Sequence, residues 1–140
     1  MAVTDFETKA AIVVRDDLAQ WQSLNVCAFL MSGLVGAAED EAIGEEYVDG
    51  DGNSYLPLLV QPVLIFAASA AKLATVRERA ARRLVPVALY TAEMFETGND
   101  ADNRAAVRAV ATAELDLVGI GLRAPHKDAD AVIRGLKRHP

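Results

Sequence analysis

The run Ala10-Ala-Ile-Val-Val14, leading into Arg15-Asp-Asp-Leu18 and then, from Trp21, into a long apolar stretch, constrains this chain more than any other feature. Five apolar residues rich in β-branched side chains are too few for a helix, so they predict a strand buried on both faces. Such a strand belongs to a sheet covered by helices, and open α/β sheets hold their ligand crevices beyond the carboxyl ends of the strands. Arg15, Asp16 and Asp17 stand at that end.

The rest of the chain repeats the alternation. Buried strands are predicted at Ala10 to Arg15, Pro62 to Ala67, Val85 to Tyr90 and Asp116 to Leu122. Between them lies a helix from Trp21 to Val35, apolar nearly all round, which needs cover on two sides from either another helix or a second subunit. A second helix is capped by Ser69 and runs toward Arg83, a third is capped by Asn99 or Asp100 and runs to Val110. A fourth opens at Pro125 and His126, with Ala129, Val132, Ile133 and Leu136 at helical spacing. The expectation is a single α/β domain over residues 1–140, a three-layer α/β/α sandwich around a four-stranded mixed sheet. Tyr47-Val-Asp-Gly-Asp-Gly-Asn-Ser-Tyr55 adds a small hairpin insertion, since its Asp-Gly pairs suit tight turns. Its alternating Asp49, Asp51 and Asn53 mimic a calcium loop, but Ser54 and Val60 occupy the positions that need glycine and glutamate.

The sole cysteine, Cys27, cannot form an intramolecular disulfide, and Asp5, Glu7 and Lys9 break up any leader-like pattern, so a reducing cytoplasm is expected. The apolar region from Leu56 to Val76 is interrupted by Pro57, Gln61, Pro62 and Lys72 and reads as strand then helix, with no membrane span expected. Charge divides unevenly. Residues 1–61 hold eleven acids against Lys9 and Arg15, a balance of −9, whereas residues 62–140 hold twelve bases against nine acids, a balance of +3. The bases on the second helix, among them Arg79, Arg82 and Arg83, could meet a phosphate-bearing partner such as tRNA, or form an ordinary solvated face.

The chemistry-bearing residues gather where two strands end. Asp16 and Asp17 precede the first turn of a helix, whose free backbone N–H groups attract anions. Asn25 is a strongly polar residue within an apolar helix and needs hydrogen-bond partners from a ligand or from the backbone. Trp21 could cover the mouth, and Tyr90 and Thr91 reach the same rim if their strand is parallel to the first. The candidate pocket is therefore Asp16, Asp17, Trp21, Gln22, Asn25 and Thr91, with a possible small ligand; the two aspartates read equally as a helix cap. Glu93, Glu96 and Thr97 follow in a loop without a definable mechanism. His126, His139 and Cys27 read as non-catalytic. No phosphate-binding loop or metal-ligand spacing occurs, so neither a cofactor nor a metal is expected.

Ile12-Val-Val-Arg-Asp-Asp-Leu18, Trp21-Gln-Ser-Leu-Asn25, Tyr47-Val-Asp-Gly-Asp-Gly52, Phe95-Glu-Thr-Gly-Asn99, Gly119-Ile-Gly-Leu-Arg-Ala-Pro125 and Arg134-Gly-Leu-Lys-Arg-His-Pro140 together resemble the uncharacterised bacterial family known as domain of unknown function 2000. That family is similar in fold to type II peptidyl-tRNA hydrolases, which implies a mixed sheet between helical layers and a homodimer. Val14-Arg-Asp-Asp-Leu18 resembles the hydrolases' Val-Arg-Thr-Asp-Leu. Where those enzymes carry Gly-Lys-Gly-Lys, this chain has Trp21, Gln22, Ser23 and Leu24, and Tyr90-Thr-Ala-Glu-Met94 keeps little of their Thr-Asp-Ala-Gly-Arg-Thr. Without that lysine, the resemblance implies a binding or interaction module more than a hydrolase of peptidyl-tRNA or a related amide or ester.

Overall fold

The computed structural model describes residues 6–140; Asp5, counted among the charges near the start, lies outside them. The opening run forms β1 (Thr8–Arg15), with Ala10 to Val14 fully buried, followed by α1 (Gln20–Ala38). The hairpin forms as β2 (Tyr47–Val48) and β3 (Ser54–Tyr55), a separate two-stranded sheet. Then come β4 (Val63–Ala68), α2 (Ala70–Arg82), β5 (Ala88–Thr91), α3 (Asp100–Arg108), β6 (Leu117–Pro125), α4 (His126–Ile133) and β7 (Lys137–Arg138).

The main sheet has the order β5-β6-β1-β4-β7, so β1 lies at its centre. It pairs parallel with β4, Ile12 opposite Ile65, and antiparallel with β6, Ile12 opposite Gly121. One face is covered by α1 through Val26, Leu30 and Leu34 on Ile12, Val14, Tyr90 and Val118. The other is covered by α2 and α4, whose Leu73, Val76, Ala80, Ala129 and Val132 pack on Val13, Ile120 and Leu122. Alternate side chains of one strand thus serve two cores, as the two-sided strand required.

Four expectations need correction. The sheet has five strands, because Lys137 and Arg138, read as a basic tail, pair antiparallel with Ala67 and Phe66. Helix α4 stops at Ile133, and Gly135 at φ 82° turns the chain back, which carries Leu136 out of the helix despite its spacing. The guanidinium of Arg138 then lies over the Phe66 ring, 5.6 Å from its centroid. The layering also differs: α3 joins neither helical layer and packs on a 3₁₀ turn, Ala92–Phe95. The third strand starts at Ala88 instead of Val85, since Pro86 has no N–H to give a ladder and Val85 still donates to Ala80 at the end of α2.

The glycines of Gly119-Ile-Gly121 have a packing role. A Cβ on Gly119 would lie 2.4 Å from Val26 Cγ1, and one on Gly121 would lie 3.3 Å from Leu30 Cβ. Their absent side chains let α1 descend onto the sheet. The segment Gln20–Glu41 is long and apolar enough to cross a membrane by length and composition, yet this helix is seated on β6. Helix α4 does not cover the outer side of α1: it lies on the opposite face of the sheet, and Leu24 and Phe29 of α1 are exposed.

Candidate functional site

Strands β1 and β5 both run antiparallel to β6 and hence parallel to each other, so their carboxyl ends share one rim. At that rim Arg15 is tied down. Its Nε donates to Asp17 Oδ1 at 2.6 Å and its Nη1 to Asp116 Oδ1 at 2.8 Å. The bond to Asp17 foremost, with Asp116 beyond it, outweighs desolvation and raises the Arg15 pKa. Asp17 is thereby a structural partner of the strand end. Asp16 is exposed, and its backbone N–H continues the sheet to Ala68 O at 2.9 Å. Gln22 turns back to accept from the Ala19 N–H at 3.0 Å, closing the first turn of α1.

Trp21 and Asn25, one helical turn apart, project instead into a different hollow. Across it stand Tyr90 at the end of β5 and Phe95 in the 3₁₀ turn, then Thr97, Asn99 and Asn103 leading into α3. The cavity holds about 300 Å³. Its aromatic wall is continuous: Trp21 meets Phe95 edge-on with centroids 5.8 Å apart, Phe95 meets Tyr90 at 5.1 Å, and Tyr90 meets Phe29 at 5.8 Å. Such tilted arrangements satisfy the ring quadrupoles while leaving one edge open. Burial pushes the Tyr90 hydroxyl above its ordinary pKa, so it stays protonated; its OH reaches toward Met94 O at 3.5 Å.

The polar side of the hollow is partly committed. Asn99 caps α3, accepting from the Asp102 N–H at 2.8 Å, and Thr97 bonds both Met94 O and the Asn103 amide. Asn25 has no hydrogen-bond partner among the described residues, although it is half-buried and lines the cavity. Thr91, next to Tyr90 in β5, is 1% exposed, and its Oγ1 is likewise unpartnered among the described residues. Phe29, Met94, Asp100 and Asn103 also border a second hollow of about 550 Å³ that continues along α3 to Arg104 and Arg108.

The six predicted residues therefore divide. Trp21 and Asn25 line the cavity, Thr91 is buried and does not line it, and Asp16, Asp17 and Gln22 serve the strand end and helix start. The aromatic and amide wall from Phe95 to Asn103 lies outside those six residues. Its signal was present in Phe95-Glu-Thr-Gly-Asn99, a segment combining an aromatic, a turn glycine and a cap. Glu93 and Glu96 of the same loop are exposed and do not line it. Cys27 is half-buried on α1, where desolvation raises its pKa and leaves little thiolate. No group of three His, Cys, Asp or Glu side chains among the described residues could hold a metal. Asp49 uses its carboxylate within the hairpin, accepting from Asp51 N, Asn53 N, Asn53 Nδ2 and Tyr55 OH.

Comparison with known proteins places these features in context. Residues 8–140 match the family described as Protein of unknown function (DUF2000). A solved structure of a protein of unknown function from Agrobacterium tumefaciens strain C58 is 45% identical, covering 97% of this chain and 100% of that one with a TM-score of 0.93. No curated protein matches the chain.

Proposed function

The chain belongs to the family Protein of unknown function (DUF2000), and from its rim cavity we propose that it binds a small planar molecule with a hydrogen-bonding edge. The observation that carries this reading is the unpartnered amide of Asn25 beside the Trp21, Phe95, Tyr90 and Phe29 wall. Aromatic rings supply apolar area for a flat ligand, and a half-buried amide without a partner is set to fix its orientation.

The proposal includes fold kinship with type II peptidyl-tRNA hydrolases, supported by Val14-Arg-Asp-Asp-Leu18 at the end of β1 and by Gly119-Ile-Gly121 in β6. Against hydrolysis stand the absence of a lysine from Trp21-Gln-Ser-Leu24 and the engagement of Arg15 by two carboxylates. The working unit we assign is a cytoplasmic homodimer joined through the exposed, uncharged face of α1, on which Leu24 is 64% exposed.

A melting screen of nucleobases and aromatic amides tests the reading. A ligand at a hundred times its Kd should stabilise the fold by about 2.7 kcal/mol, several degrees in Tm. Asn25→Ala and Trp21→Ala should each abolish that shift. A shift that survives both substitutions, or peptide release from peptidyl-tRNA as fast as that of a type II enzyme, would overturn it.

A further inference from the structure

Helix α2 leaves the rim at Ala70 and must run back across the sheet for β5 to lie parallel to β1, so its last turn lies at the opposite end of the molecule from the aromatic cavity. There Arg79, Arg82 and Arg83 meet Arg134, which follows α4, around a cleft of about 400 Å³. The fourth guanidinium comes from a segment more than fifty residues away, so this is a tertiary convergence and not one solvated helix face.

Two of the four are held in place. Arg79 Nη1 donates to Arg134 O at 2.9 Å and toward Val132 O at 3.4 Å, and Arg83 Nη1 donates to Asp128 Oδ1 at 3.0 Å. Arg82 and Arg134 make no side-chain hydrogen bond or ion pair among the described residues, and both are exposed. Asp128 pairs with Arg83, and among the described residues no carboxylate is within ion-pair distance of the other three guanidiniums, in a chain whose net charge is −6. Like charges gathered in a concave site repel one another, and an anion bearing several charges relieves that repulsion where a single carboxylate cannot. Planar guanidinium forks match phosphate oxygens, and the pinned pair gives them a preorganised frame.

The geometry points to an anion site for a compact, multiply charged phosphate group, either on a soluble phosphorylated molecule or on a lipid headgroup. Leu84, beside the cleft in sequence, is 90% exposed at a φ of 57°, a conformation and exposure unusual for leucine. It would enter an apolar phase if the phosphate belonged to a membrane lipid.

Pyrophosphate is the probe, titrated by calorimetry at constant ionic strength maintained with sodium chloride. Saturable binding is expected, with affinity falling about a hundredfold or more in Arg82→Ser/Arg134→Ser, since each removed charge-assisted contact is worth about tenfold or more. Arg104→Ser/Arg108→Ser, on α3, should bind as the parent does. Equal binding by the Arg82→Ser/Arg134→Ser variant, or heat no larger than that of a chloride control, would overturn the site. Co-sedimentation with vesicles containing anionic phospholipid, lost in both that double variant and Leu84→Ser, supports the site and assigns the phosphate to a headgroup. Pyrophosphate binding with no vesicle association supports it and assigns a soluble source.

Discussion

The two faces of the central sheet are closed by opposite means. On one, α1 presents nineteen residues without a charge, buries Val26, Leu30 and Leu34, and gains its contact by approaching the backbone of β6 at Gly119 and Gly121. On the other, α2 is amphipathic, burying Leu73, Val76 and Ala80 while Lys72, Arg77, Glu78, Arg79 and Arg82 occupy the remainder of its surface. An amphipathic helix is complete once its apolar stripe is covered. A helix apolar on every side is not, and α1 leaves Trp21 60%, Leu24 64% and Phe29 53% exposed. The α1 side therefore leaves an apolar surface and the α2 side a charged one, so the clefts on the two sides of one small sheet differ in chemistry.

The largest expected effect tests the backbone seat of α1. Gly119→Ala places a Cβ 2.4 Å from Val26 Cγ1, where helix or strand must shift, and should destabilise the protein by about 1–3 kcal/mol in urea denaturation. Gly36, on the same helix with nothing within 4 Å of an added Cβ, should respond oppositely, gaining about 0.5–1 kcal/mol on Gly36→Ala. A neutral Gly119→Ala would mean that close approach is not what holds this face.

Next comes the contrast between the outer surfaces of the two helices. Leu24→Glu should convert the proposed dimer to a monomer in light scattering while changing the stability of the subunit by no more than about 0.5 kcal/mol. Ala74→Glu, on the exposed side of α2, should alter neither. If the parent protein is itself monomeric at micromolar concentration, the outer face of α1 is not a subunit contact.

The smallest effect concerns the hairpin that follows α1. The Tyr55 hydroxyl first, then the backbone N–H of Asn53, hold the Asp49 carboxyl down to about 2. Because the ordered hairpin lowers this pKa, its stabilising effect is complete above the ordinary carboxylate value and is lost as pH falls through about 2. Tyr55 chemical shifts should report loosening of the turn over that acid range, and Asp49→Asn should remove the pH dependence. A tyrosine signal unchanged between pH 5 and pH 2 would dissociate the turn from this carboxylate.

Much of this organisation can be read from the chain. The α/β class, the central strand, the four helices, the hairpin and the caps at Ser69 and Asn99 all follow from patterns a few residues long: alternation, helical spacing, Asp-Gly turns and side chains that bond the next free N–H. Asn25 and Trp21 stand out in the sequence for a similar reason, a polar group and an indole out of keeping with an apolar helix, and both line the rim cavity. Tertiary structure alone decided the rest. It made Lys137 and Arg138 an edge strand, turned Gly119 and Gly121 into a seat for α1, tied Asp116 to Arg15, and brought Asn103 to Asn25 and Arg134 to Arg79. Each of these depends on segments distant along the chain meeting in one register. Local propensity carries no record of such a meeting, because it is set by how helices and strands pack once they have formed.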